Sequence, residues 1–113
     1  MFAPSYSIAF DDAEFRSLRK AKITGSMKWS DVRAIHAWAR DGIPTEVVFL
    51  RFADRKSKLV VNDLYDGFKE FMAEVDARFG LDPSWYMAAT LNLDTEILLY
   101  DEGRAVDLDE FAA

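Results

Sequence analysis

Residues 45–62 read Thr-Glu-Val-Val-Phe-Leu-Arg-Phe-Ala-Asp-Arg-Lys-Ser-Lys-Leu-Val-Val-Asn. The first half of this stretch is short, β-branched and aromatic, and too apolar on both sides to lie open, which predicts a strand over 45–53. Residues 54–57 are polar and turn-forming, and 58–62 form a second apolar run that pairs back across them. Downstream, Phe68, Phe71, Met72, Val75 and Phe79 recur at helical spacing. Asp66 is placed to cap that helix, Gly80 to end it in a left-handed conformation, and Leu81 to close it with an apolar contact. A hairpin feeding an amphipathic helix is therefore the centre of the expected fold. Each fully buried Phe stabilises by about 1.5–3 kcal/mol, so this stripe is a main part of the core.

Working outward, residues 5–10 alternate Tyr6, Ile8 and Phe10 against Ser5, Ser7 and Ala9, as a half-buried strand does. Asp11-Asp12 marks a turn. Residues 16–27 are basic and polar, with Leu18, Ile23 and Met27 as apolar points, and read as one strand ending near Thr24-Gly25-Ser26. Residues 29–41 fit two patterns. Ser30 as a cap, Val32, Ile35 and Ala39 at helical spacing, and Gly42 as a C-cap suit a helix. Val32, Ala34, His36 and Trp38 alternate as a strand face does. Beyond the main helix, Asp82-Pro83 opens a short helix carrying Trp85, Tyr86 and Met87. Residues 96–100 read as a last strand, and the acidic tail from about 101 is expected to fray.

The chain has 113 residues, one domain by length, of which 50% are hydrophobic and 14% aromatic. That apolar content excludes a disordered tail and suffices for a core burying roughly two-thirds of the unfolded surface. No run reaches the ~18 apolar residues of a membrane helix, and the start shows no basic segment ahead of an apolar stretch. The expectation is a cytoplasmic protein with no membrane span and no secretory signal. There is no cysteine, which removes disulfides and thiolate chemistry. The net charge of −6 argues against nucleic-acid partners. It is unevenly spread: residues 1–60 carry +4 and residues 61–113 carry −10.

Chemistry-bearing patterns are few. His36 is the one imidazole, and it sits in Ala-Ile-His-Ala-Trp without a recognisable nucleophile turn. The acidic runs lack the ligand spacing of a calcium loop, and no nucleophile elbow, phosphate loop or dinucleotide fingerprint occurs. No catalytic, cofactor or metal residue is assigned. The basic stretch Arg16, Arg19, Lys20, Lys22 and Lys28 is the better candidate. It fits an acidic partner or phosphorylated ligand, and it fits better an exposed strand edge protected by charge or a set of pairs with the acidic second half. Among the aromatics Trp85 is the candidate for partner contact, because it stands on a short helix outside the main stripe.

Trp29-Ser30-Asp31-Val32-x-x-Ile35, followed by strand, turn, strand and a helix with Phe68 and Phe71, resembles the core of bacterial pleckstrin-homology-like domains. Arg40-Asp41, Arg78-Phe79 and Trp85-Tyr86 are further similar to a family of small uncharacterised bacterial proteins. The likeness spans about residues 27–100. It implies a strand at 29–41, paired with 45–53 through Gly42-Ile43-Pro44, and it implies no catalytic residues. The segment before Trp29 is too short for a complete seven-stranded barrel.

The expected architecture is thus α+β: a curved, mainly antiparallel sheet of four to five strands on one amphipathic helix, pleckstrin-homology-like, in a single domain over 1–113. The expected function is non-enzymatic binding of a protein partner or a second copy of the chain, a homodimer. The alternatives are an acidic immunity-type inhibitor of a toxin and a module for a phosphorylated headgroup.

Overall fold

The computed structural model describes residues 6–42 and 45–108. Ser5, the Ile43-Pro44 part of the expected turn, and Asp109 and Glu110 of the acidic tail lie outside the described residues. The element order is β1 (Tyr6–Phe10), β2 (Glu14–Arg19), β3 (Lys22–Lys28), a 3-10 turn (Trp29–Asp31), β4 (Ala34–Arg40), β5 (Val47–Ala53) and β6 (Lys58–Asn62). Then follow α1 (Phe68–Phe79), α2 (Trp85–Leu91), β7 (Ile97–Asp101) and β8 (Arg104–Ala105).

The fold is α+β, with strands in two antiparallel sheets ordered β1-β2-β3 and β6-β5-β4-β7-β8, not one sheet of four to five strands. The difference begins at Lys20-Ala21. Residues 16–27 are a hairpin, not a single strand, closed by these two residues at φ 51° and 66°. Such a two-residue turn normally advertises itself with Asn or Gly. Here it carries neither.

The expected 45–53 strand and 58–62 strand form as β5 and β6, and Ile35 to Arg40 pair antiparallel with β5. Of the two readings of 29–41 the strand holds, from Ala34 to Arg40, preceded by a single 3-10 turn at Trp29–Asp31; Val32, Ile35 and Ala39 do not lie on a helix. Helix α1 ends as expected, on Gly80 at φ 65° with Leu81 buried behind it. Its start differs. Gly67, at φ 86°, is the N-cap, and no side chain caps the helix. Asp66 instead bridges to β1 through its backbone, accepting from Ile8 N–H and donating to the Tyr6 carbonyl. A Cβ on Gly67 would stand 2.9 Å from the Ile8 carbonyl oxygen, so the close crossing of α1 over β1 needs glycine there.

The described part of the acidic tail, to Leu108, continues the fold beyond Asp101. Gly103 turns the chain at φ 90°, β8 pairs back on β7, and Val106 N–H bonds to the Leu99 carbonyl. A second helix also packs on the five-stranded sheet: Trp85 and Ala89 of α2 are fully buried.

Alternation sorts each strand into two faces. Ile35, Ala37, Ala39, Val48, Leu50, Phe52, Leu59, Val61, Ile97 and Leu99 point inward from the large sheet. They meet Ile8, Phe15 and Met27 of the small sheet and Phe68, Phe71 and Val75 of α1. The three layers join at one aromatic knot. The Phe15 ring lies 4.6 Å from Trp29, 4.8 Å from Phe52 and 5.4 Å from Phe71. Among the described residues no helix is long and apolar enough to cross a membrane.

Candidate partner-binding surface

The three-stranded sheet places the basic residues by register. Tyr6 stands opposite Arg19, and Arg19 opposite Lys22, in one row across the sheet. The Arg19 guanidinium lies 5.7 Å over the Tyr6 ring, a cation–π contact. Tyr6 also stacks on Tyr65 at 5.2 Å and 22°. Tyr65 comes from the β6–α1 connection, whose turn is held by Tyr65 N–H on the Asn62 carbonyl and Leu64 N–H on Asn62 Oδ1. Partial burial and the neighbouring Tyr6 push the Tyr65 hydroxyl pKa up.

The result is one end of the molecule where cations and aromatic rings meet. Lys22, in the row, and Lys20, in the turn beside it, are exposed, and Leu64 is 64% exposed; Ile23, 62% exposed, pairs with Leu18 and points to the other face of the small sheet. A groove of about 440 Å³ runs between Tyr6, Asn62, Leu64 and Tyr65. Exposed large apolar side chains beside tyrosine and arginine are the composition of interface centres.

The other sequence candidates lie elsewhere. Arg16 is bound by Asp11 at 2.7 Å and Glu14 at 3.4 Å, at the opposite end of β2. Asp11 is a strong partner: amide hydrogen bonds from Ala13 and Glu14 and the Arg16 side chain hold its carboxyl pKa down to about 2. Lys28 stands opposite Glu14 and lines an open groove of about 570 Å³ with Asp12, Trp29, Arg78 and Phe79. Trp85 has no exposed surface, and its indole N–H is bonded to Asp76. It packs the core and offers a partner nothing. The five basic residues therefore do not form one patch; Arg19, Lys20 and Lys22 do.

Ion pairs between the basic first half and the acidic second half are made by Arg33 with Glu102, Arg51 with Glu96 and Arg40 with Asp94, cations outside the basic stretch for which such pairing was one expectation. A smaller cavity of about 240 Å³ lies between Ser30, Asp31, Arg33, Asp54, Arg55 and Lys56. Its acids and cations are already engaged in part: Arg33 binds Glu102, and Asp54 accepts from the Lys56 and Ser57 amides. Among the described residues no three of His, Asp and Glu converge as metal ligands.

The tyrosines and exposed apolar residues of the candidate surface carry no motif. One signal for Tyr6 did exist. A hairpin turning at Asp11-Asp12 with Phe10 opposite Phe15 carries Tyr6 to Arg19 by simple counting. Comparison of the chain with protein-family models, with curated proteins and with solved structures gives no match.

Proposed function

We propose that this chain is a non-enzymatic, cytoplasmic interaction module that docks an acidic segment of a protein partner on the end formed by Tyr6, Arg19, Lys20, Lys22 and Tyr65. The observation that carries this reading is the contact of Arg19 and Tyr65 with Tyr6, with Lys20 and Lys22 exposed next to Arg19 in the chain and Leu64 64% exposed in the groove beside Tyr6 and Tyr65. Two stacked rings offer apolar area at small conformational cost, and the cations select an anionic partner. The chain's net charge of −6 opposes long-range attraction of polyanions, so the preference acts at short range and is weakened by salt. Kinship with bacterial pleckstrin-homology-like domains belongs to the same proposal, supported by the strand, hairpin and helix order of β4, β5, β6 and α1.

Capture from native lysate by the wild-type chain and by the Arg19→Glu, Lys20→Glu, Lys22→Glu triple variant tests this reading. The captured partner is then titrated calorimetrically at low and high salt. The expected result is an acidic partner lost by the triple variant and weakened by salt. A partner held equally by both chains, or binding to anionic vesicles in place of protein, overturns it.

A further inference from the structure

The face of the five-stranded sheet turned away from the core carries apolar and charged side chains, and among the described residues no helix or strand packs upon it. Strand alternation puts Ala34, His36, Trp38, Phe49, Arg51, Ala53, Val60 and Leu98 there. Trp38 and Phe49 stack at 5.3 Å and 6°, and the Arg51 guanidinium lies 5.2 Å over the indole. Arg51 is also paired with Glu96. Val60 is 42% exposed. A Trp, a Phe and an Arg, flat against one another in the middle of a sheet face, are the residues that anchor interfaces.

The register decides what fits. Across strands β6, β5, β4 and β7, one row reads Val60, Arg51, His36, Leu98 and the next reads Lys58, Ala53, Ala34, Asp101. Trp38 and Phe49 form the centre of the row on the other side. The face thus has Lys58 at its β6 border and Asp101 on β7, where Arg104 of the short edge strand β8 stands opposite Asp101, with alanines, Arg51 and His36 between. A two-fold axis parallel to the strands, between β4 and β5, lays β6 of one copy over β7 of another and leaves the two-residue β8 outside the contact. Lys58 then faces the second copy's Asp101, twice. Val60 faces Leu98, twice, and the two Trp38–Phe49 stacks meet at the axis. Arg51 falls over the second copy's His36, with Glu96 already balancing its charge.

We propose that this face is a homodimer interface in which two copies stack sheet on sheet, with Lys58 paired to the second copy's Asp101. Face-to-face packing of aligned sheets is an ordinary layer arrangement, and a two-fold axis makes one patch complementary to itself. The interface is distinct from the Tyr6–Arg19 end, which lies on the small sheet, so the two proposals stand or fall separately. Its footprint is about 15–20 Å on a side, from four strands near 4.8 Å apart and five residues near 3.3 Å each. That is small for a stable complex, so the dimer is weak and dissociates on dilution.

Sedimentation equilibrium from about 5 to about 500 µM reads the association directly, because oligomer stability scales with protomer concentration. The informative variants are Lys58→Glu and Asp101→Lys, both at exposed positions where folding is not at stake. Either one alone puts like charges together twice and is expected to weaken the dimer about tenfold, the effect of two small surface terms. Mixing the two single variants restores opposite charges at both contacts, and so does combining them in one chain; wild-type affinity returns in each case. A chain monomeric throughout this range overturns the proposal. So does a dimer that neither charge reversal weakens, or whose weakening the mixture fails to repair.

Discussion

The indole Nε1 of Trp85 donates a 2.7 Å hydrogen bond to Oδ1 of Asp76, joining α2 to the last turn of α1. Trp85 is fully buried and Asp76 half-buried, and the Asp76 carbonyl also receives the Gly80 and Leu81 amides. Burial pushes the Asp76 carboxyl pKa up, against the pull of the Trp85 hydrogen bond. Asp76→Asn retains an acceptor oxygen and removes the charge, so its unfolding free energy at neutral pH is expected to equal or exceed that of wild type. Asp76→Ala strands the indole N–H and is expected to cost about 1–3 kcal/mol. The pH dependence adds a signature. The folded pKa lies above the unfolded one, so this contribution is complete below the unfolded pKa and is lost as pH rises through the folded value. Urea denaturation across the carboxylate range is expected to show that slope in wild type and a flatter one in Asp76→Asn.

Lys20 and Ala21 both hold positive φ, 51° and 66°, in the turn that makes β2 and β3 two strands. A side chain in this conformation costs about 1–2 kcal/mol per residue, and glycine escapes that cost while losing some chain entropy on folding. Ala21→Gly is therefore expected to stabilise the protein by about 0.5–1 kcal/mol in chemical denaturation. Ala21→Pro, whose ring fixes φ near −65°, is expected to destabilise it strongly. If glycine at 21 lowers stability, the turn geometry is not what strains this hairpin.

That turn also shows where sequence reading stops. Strands β5 and β6, the Gly80–Leu81 helix end and the Phe68, Phe71, Val75 stripe are local patterns, written in residues next to one another in the chain. Lys20-Ala21 has the shape of an Asn-Gly turn without its residues, so one strand was expected where there are two. A third strand there is enough to make a second sheet. The candidate surface divides the same way. Arg19, Lys20 and Lys22 are legible as a basic run, but their separation from Arg16 and Lys28 depends on which strand end each occupies. Tyr65 reaches Tyr6 only because Asp66 bridges to β1, a contact between distant segments that no local pattern announces. Trp85 is the converse case: a short helix gives too few turns to show which face is buried.

His36 is the chain's single histidine, so its titration can be read without ambiguity. It lies half-buried on the outer sheet face between Arg51 of β5 and Leu98 of β7, with Nδ1 buried and unbonded among the described residues. Burial is the first cause that lowers its pKa below 6.5, and the Arg51 charge adds to it. Glu96 and Asp101 raise it in part, and Lys58 lowers it further. A lowered folded pKa means the unfolded chain binds more protons in this range, so stability rises with pH. The contribution is complete above the unfolded pKa and is lost as pH falls through the folded one. Proton NMR is expected to give a His36 midpoint below 6.5, and Glu96→Gln to move it lower still by removing the strongest opposing charge. His36→Gln is expected to flatten the stability profile in the same window and leave it unchanged at alkaline pH. A midpoint at or above 6.5 would show that the carboxylates outweigh burial on this face.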